Sequence, residues 1–338
     1  LAHSFDRKVG KKMERIHVKV PGEQPQDREY MKQALALAEK GQGWVNPNPM
    51  VGAVLVKDGR IIGEGYHTRY GQLHAEREAF KNAAERGEET AGADLYVTLE
   101  PCCHTGKQPP CTEAVLASGV KRVIVGCTDP NPVVAGRGIR LLREKGLEVV
   151  AGVLRGECER QNEVFFHFMR TKLPFTVLKY AMTLDGKTAT VSGKSQWITG
   201  EAARKRVHED RGRYMAILTG VSTVLADNPQ LTCRIPGGKN PIRVIADTKL
   251  RTPLSSTVVQ TARETPTWIV TAVSDAGRKK AYEDAGCRVL SVPAKEGELD
   301  LQAMMQRLGE EKVDSVMVES GGTLAWSFLK AGLVNRVQ

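Results

Sequence analysis

The chain has 338 residues, 41% of them hydrophobic, which suggests two domains of about 150 residues with real cores. No run of about 18 apolar residues could span a membrane and no positive-then-apolar leader is visible, so a cytoplasmic protein with no membrane partner is expected. The net charge is +10, but the basic residues are interleaved with acids and aromatics are only 5%, which disfavours nucleic acid and favours phosphorylated small molecules.

Residues 1–26 read as an extension or tail without a role in the fold. A helix follows, capped by Asp27, with Met31, Leu35 and Ala38 on one face and Gly41 at its end. Two Asn-Pro pairs, Asn46-Pro47-Asn48-Pro49, make a rigid polar loop. A strand at 51–56, the turn Lys57-Asp58-Gly59-Arg60 and a strand at 61–66 predict a hairpin.

His74 opens a helix through Phe80, and a strand at 95–99 ends in a cysteine-rich loop. Thr112 is expected to cap the next helix, so Cys111 would sit at a helix N-terminus, which favours thiolate. A strand at 122–127, the loop Asp129-Pro130-Asn131-Pro132, a helix at 137–145, a strand at 147–151 and a helix at 157–169 complete an alternating α/β unit. The pattern restarts near Thr171-Lys172-Leu173-Pro174, which places domains at 27–170 and 171–338.

The second unit reads as strand 175–181, helix 200–211, strand 214–219, a helix or turn at 220–226, and strands 242–246 and 267–271. Helix 275–285, strand 288–292, helix 299–310, strand 315–319 and helix 323–331 follow. Glu319-Ser320-Gly321-Gly322-Thr323 lies between strand and helix, where backbone N–H groups can hold a phosphate. No G-x-G-x-x-G and no P-loop follows any predicted strand.

Chemistry concentrates between His74 and Cys111. His74-Ala75-Glu76 is followed by Pro101-Cys102-Cys103-His104 and Pro109-Pro110-Cys111. One histidine and two cysteines offer three of zinc's four tetrahedral ligands and leave the fourth position for water. Glu76 is placed to carry protons rather than to bind metal. The order His-x-Glu, Pro-Cys, Cys is that of zinc nucleobase deaminases, although there the two cysteines stand closer together. Seven cysteines, an odd number, argue for reduced thiols rather than a disulfide framework. Buried free thiols are the ordinary explanation for cysteine, and the upstream His-x-Glu outweighs it here. Two other classes remain open on the residues alone: a nucleic-acid deaminase, and a non-catalytic scaffold closed by a fourth ligand from Cys103 or His104. In the second unit, Lys179 is a lysine on an apolar strand, and Arg211 and Arg234 offer bidentate donors suited to a phosphate.

Taken together the chain resembles the bifunctional riboflavin-biosynthesis enzymes, a pyrimidine deaminase fused to a pyrimidine reductase, over residues 27–338. The likeness rests on the Asn-Pro repeats at 46–49 and 129–132, His74-Ala75-Glu76, Thr98-Leu99-Glu100-Pro101-Cys102, Pro109-Pro110-Cys111, Leu184-Asp185-Gly186-Lys187, Ser195-Gln196-Trp197-Ile198-Thr199 and Ala226-Asp227-Asn228-Pro229. It implies a cytidine-deaminase-like three-layer domain followed by a dihydrofolate-reductase-like α/β domain, C-terminally short relative to that family. The first would hydrolyse the 2-amino group of 2,5-diamino-6-ribosylamino-4(3H)-pyrimidinone 5′-phosphate. His74, Cys102 and Cys111 would bind Zn2+, Glu76 would shuttle the proton, and Asn46, Lys107, Asp129 and Asn131 would contact substrate. The second would reduce the ribosyl chain to ribityl with NADPH, held by Ala181, Trp197, Thr223, Asp227 and Gly321. Ser195, Arg211, Leu231, Arg234 and Glu319 would contact that substrate, with Lys179 polarising or orienting the sugar. Cys103 is expected to stand aside, Glu100 to be structural, and the chain to form a homo-oligomer.

Overall fold

A computed structural model describes residues 20–106, 108–192, 195 and 197–338. The first unit runs α1 (Asp27–Glu39), β1 (Gly52–Lys57), β2 (Arg60–Tyr66), α2 (Ala75–Glu85), β3 (Asp94–Leu99), α3 (Cys111–Ala117), β4 (Arg122–Cys127), α4 (Arg137–Glu144), β5 (Glu148–Ala151), α5 (Arg155–Gln161) and α6 (Glu163–Thr171). Its five strands lie in the order β2-β1-β3-β4-β5. The β1–β2 hairpin and the β1–β3 pair are antiparallel, and β3, β4 and β5 are parallel.

Side chains alternate across this sheet, and each face is covered by helices. Leu55, Leu95, Val97, Val123 and Val125 pack with Ala75, Ala79 and Ala83 of α2, Val115 of α3 and Leu142 of α4. Val54, Tyr96, Ile124 and Val150 face the other way, onto Met31 and Ala34 of α1, Cys158 of α5 and Phe165 of α6. The result is three layers, as period-2 strands between amphipathic helices require. The small residues of α2 allow a close approach: a Cβ at Gly65 would lie 2.3 Å from the Ala79 backbone nitrogen.

The buried Arg122 ties the layers together, reaching Asp27 at 3.2 Å, Asp94 at 3.0 Å and Glu148 at 3.1 Å. Its guanidinium also donates to the Gly22 carbonyl. Residues 20–26 are therefore not the idle tail expected from composition. Glu23 is buried and accepts from the Val20 backbone and from Arg28.

The second unit runs β6 (Phe175–Lys179), α7 (Glu201–Arg213), β7 (Ala216–Gly220), α8 (Val221–Asp227), β8 (Ile242–Ala246), α9 (Thr257–Gln260), β9 (Thr267–Thr271), α10 (Ala276–Asp284), β10 (Arg288–Ser291), β11 (Ala294–Lys295), β12 (Glu298–Leu299), α11 (Leu301–Glu310), β13 (Ser315–Glu319), α12 (Gly322–Lys330) and β14 (Arg336–Val337). Seven parallel strands lie in the order β10-β9-β8-β7-β13-β6-β14, with helices on both faces. The order reverses beside β7, and open α/β sheets bind ligands outside the strand carboxyl ends at such a point. Lys179 and Glu319, the last residues of β6 and β13, are register partners there.

Several local readings change, and Asp27 is one: the N-cap of α1 is Gln26, and the Asp27 carboxylate accepts from Tyr96 and Arg122 instead. The single helix expected at 157–169 is two, broken at Asn162, whose amide both accepts from the Met50 N–H and donates to its carbonyl at 2.8 Å. Thr112 does not cap α3, which begins at Cys111 after Pro110, and its hydroxyl finds no partner. The short α9 and the β11–β12 hairpin lack the periodicity that would announce them. Among the described residues no helix is long and apolar enough to cross a membrane.

Candidate active site

The cysteine loop leaves the end of β3 and returns into α3, while His74 sits at the N-cap of α2 in extended conformation. These elements bring one ligand atom each from His74, Cys102 and Cys111 within 4.8 Å of one another. His74 Nδ1 lies 3.5 Å from Cys102 Sγ and 3.3 Å from Cys111 Sγ, so Nδ1 is the nitrogen aimed at the cluster. Cys102 Sγ also accepts the Cys111 backbone N–H at 3.3 Å. That thiol is held well below its usual range by the hydrogen bond from the Cys111 thiol, with His74 adding to the effect. Cys111 moves the other way, because Cys102 and burial hold its proton. The His74 imidazole is raised by its hydrogen bond with Cys102. Protons shared among one imidazole and two thiols are those that a divalent ion displaces on binding.

The donor set fits zinc, with one imidazole and two sulfurs converging from two helix N-termini and the loop after β3. Among the described residues no fourth His, Cys, Asp or Glu joins the cluster, and Cys103 is outside it. The open side faces a cavity of about 890 Å3 that Glu76, His74 and Cys102 line. Glu76 is 3% exposed in the first turn of α2, and burial is the main reason its carboxyl is raised above the usual range.

Glu100 organises the opposite wall. Its carboxylate accepts from the backbone N–H groups of Asp129, Gly136 and Ile139, so it fixes the 129–136 loop and the start of α4. Asp129 lines the cavity, raised to about 6 by burial, and accepts from the Asn131 N–H. Asn131 lines it too, with its side-chain oxygen used by the Val133 N–H. Lys107 lies outside the described residues. Asn46 does not line this cavity; it donates to Asp314 of the second unit at 2.7 Å. Asn48, two residues on, takes the place facing the metal cluster beside His67. The repeat in Asn-Pro-Asn-Pro leaves the choice of amide open, and His67 carries no sequence signal beyond following a strand.

In the second unit, Lys179, Arg211 and Glu319 come together at the strand ends. Arg211 makes a two-point pair with Glu319 and donates Nη1 to the Thr232 carbonyl at 3.0 Å. The guanidinium fork that suited a phosphate is thus engaged within the protein. Leu231 is buried with φ +54°, and Arg234 is exposed, with its N–H on His208 Nδ1. Gly321 caps α12, Thr223 and Asp227 lie on α8, and Ala181 follows β6. Ser195 and Trp197 are exposed, with the Arg204 guanidinium 4.5 Å over the Trp197 ring.

Residues 24–127 match the cytidine and deoxycytidylate deaminase zinc-binding region, and residues 174–338 match the RibD C-terminal domain. The riboflavin biosynthesis protein RibD of Actinobacillus pleuropneumoniae is 50% identical over 311 residues, covering 92% of this chain and 82% of its own length. The chain belongs to the riboflavin biosynthesis protein RibD family. The relative from Escherichia coli is 43% identical over 92% of this chain and 86% of its own. The crystal structure of a diaminohydroxyphosphoribosylaminopyrimidine deaminase/5-amino-6-(5-phosphoribosylamino)uracil reductase from Thermotoga maritima is similar at a TM-score of 0.80. It is 44% identical and covers 90% of this chain and 84% of that one. Membership makes the chain a two-domain deaminase and reductase of riboflavin biosynthesis, with a cytidine-deaminase-like first domain and a dihydrofolate-reductase-like second. Its cofactors are Zn2+ and NADPH.

Proposed function

We propose that residues 27–170 hydrolyse the 2-amino group of 2,5-diamino-6-ribosylamino-4(3H)-pyrimidinone 5′-phosphate and that 171–338 reduce the ribosyl chain of the product. The observation that carries this reading is a three-ligand nitrogen and sulfur cluster open to a cavity that holds one buried carboxyl, Glu76. A scaffold with a structural ion would close the cluster with a fourth side chain.

Zinc, once held by His74, Cys102 and Cys111, supplies a water acidic enough to ionise near neutral pH. Glu76 takes that proton on its carboxylate and hands it to the departing amine, which leaves as ammonia only when protonated. General acid–base work of this kind is worth roughly 10²- to 10⁴-fold. Its raised carboxyl suits a group that must accept and return a proton. Asp129 and Asn131 close the cavity around the ring, Lys107 contacts the substrate as the resemblance implies, and Asn46 does so by turning from Asp314 on binding.

In the reductase, NADPH supplies the hydride, and the protein supplies position. Lys179 and Arg211 flank the Glu319 carboxylate, and Ser195, Leu231 and Arg234 would contact the sugar. Ala181, Trp197, Thr223, Asp227 and Gly321 hold the cofactor side. The protein works in the cytoplasm as a homo-oligomer. The test is to incubate zinc-loaded protein with the diaminopyrimidine nucleotide and measure ammonia, then add NADPH and follow its absorbance. No ammonia from the zinc-loaded chain would sink the reading.

A further inference from the structure

His67 follows β2 at once and is 2% exposed. Its ring makes two polar contacts. Nδ1 lies 2.9 Å from the Leu73 carbonyl oxygen, and Nε2 lies 3.2 Å from the Asn48 side-chain nitrogen. A carbonyl oxygen only accepts, so Nδ1 carries the proton. Nδ1 is thus committed to the Leu73 carbonyl, and the Asn48 side-chain nitrogen, a donor only, stands against Nε2. Nε2 then presents a lone pair and needs a donor.

The Asn48 amide NH2 is that donor. The flipped amide would set its oxygen against the Nε2 lone pair. Asn48 lines the cavity shared with His74 and Glu76, and among the described residues no hydrogen bond takes up its Oδ1. We infer that His67 is a positioning residue that locks the Asn48 amide with its carbonyl oxygen toward the cavity, so that the site selects a ring presenting an N–H or amino donor there. The same imidazole holds the carbonyl of Leu73, one residue before His74. One ring therefore links the metal-bearing turn to the amide that reads the substrate.

This inference rests on the proposed deaminase only in its kinetic arm, so its test has two arms. In the zinc-loaded full chain with 15N-labelled histidine, NMR should show His67 near neutral pH with a protonated Nδ1 and a bare Nε2. A proton on Nε2 would overturn the inference, whether or not the chain deaminates anything. For the kinetic arm, His67→Gln puts an amide oxygen where Nε2 was and can still accept from Asn48. His67→Asn keeps the bond to Leu73 and frees the Asn48 amide to flip. The expected result is a deaminase KM raised roughly tenfold in His67→Asn with kcat and zinc content nearly unchanged, and a KM within about threefold of wild type in His67→Gln. An unchanged KM in His67→Asn, or equal losses in the two variants, would overturn it. A wild-type chain that releases no ammonia would count against the proposed function, and the tautomer would still decide this inference.

Discussion

Arg211 and Glu319 form a two-point ion pair, Nε to Oε1 at 2.8 Å and Nη2 to Oε2 at 2.9 Å. Both side chains are 12% exposed, and Lys179 approaches the same carboxylate at 3.9 Å. Glu319→Gln leaves two cations facing each other without their shared counter-charge. Breaking a largely buried pair from one side costs roughly 3 kcal/mol. The variant should unfold at lower denaturant and lose NADPH oxidation, while ammonia release stays. Loss of both activities together would show that the pair supports the whole molecule rather than the reductase site.

Glu76→Gln keeps the shape of the buried side chain and removes its proton chemistry. Its raised carboxyl means that the ionised form is the costly one in the fold, so the neutral amide should not destabilise the protein. Zinc content should match wild type, and ammonia release should fall by roughly 10²-fold or more. Metal analysis beside the ammonia assay checks both halves. Turnover near the wild-type rate would remove Glu76 from its role.

Much of this is legible in the chain because periodicity and punctuation agree. The alternating strands, the Asp58-Gly59 turn, where both residues have positive φ, and the His-Ala-Glu and Pro-Cys spacing suffice to draw the layers. They also name three side chains that the fold brings within 4.8 Å. Other features depend on contacts far apart in sequence, which local patterns do not encode. Asn162 breaks a helix because Met50, 112 residues away, needs its amide. Asn46 turns to Asp314, 268 residues on, and leaves the cavity to Asn48. Arg211 looks like a phosphate ligand until Glu319 is placed beside it.

Stripping zinc with a chelator should abolish ammonia release and spare NADPH oxidation. A metal that binds only the folded chain stabilises it by about 4 kcal/mol at a thousandfold excess over its Kd. The stripped protein should therefore melt earlier, and added zinc should restore both Tm and deamination. His74→Ala should mimic the stripped state and resist rescue. Full deamination by the stripped protein would contradict a hydrolytic metal centre.

Asp129 gives the cavity a pH signature. Burial raises its carboxyl to about 6, partly opposed by the Asn131 N–H and aided by Glu100. The folded chain holds this proton more tightly than the unfolded chain, so the group's contribution is greatest at low pH and is lost as pH rises through 6. Between pH 5 and pH 7.5 wild type should lose about 1 kcal/mol from this source. Asp129→Asn keeps the acceptor for Asn131 and lacks the slope. Denaturant midpoints across that window measure the difference. Parallel curves would place Asp129 in a wetter setting than the one seen here.

Gly309 governs how the two units meet. It is buried in the last turn of α11, and a Cβ there would lie 2.0 Å from the Lys172 carbonyl oxygen, just past α6. Its φ is not positive, so the constraint is space rather than backbone conformation. The obstacle is backbone on a helix end, which cannot swing aside as a flexible side chain would. Gly309→Val must therefore separate α6 from α11 or bend one of them, and overpacking of this kind costs roughly 1–3 kcal/mol. Lys172 and Gly309 line the same cavity as His74 and Glu76, so the wedge should also be felt by the deaminase. The expected variant melts earlier and has a raised deaminase KM with zinc still bound. Asn46→Ala disturbs the same seam by leaving the buried Asp314 without its amide donor. If the two defects share a cause, the double variant should fall short of the sum of the singles. A Gly309→Val protein that unfolds earlier but binds substrate as wild type does would confine the seam to stability.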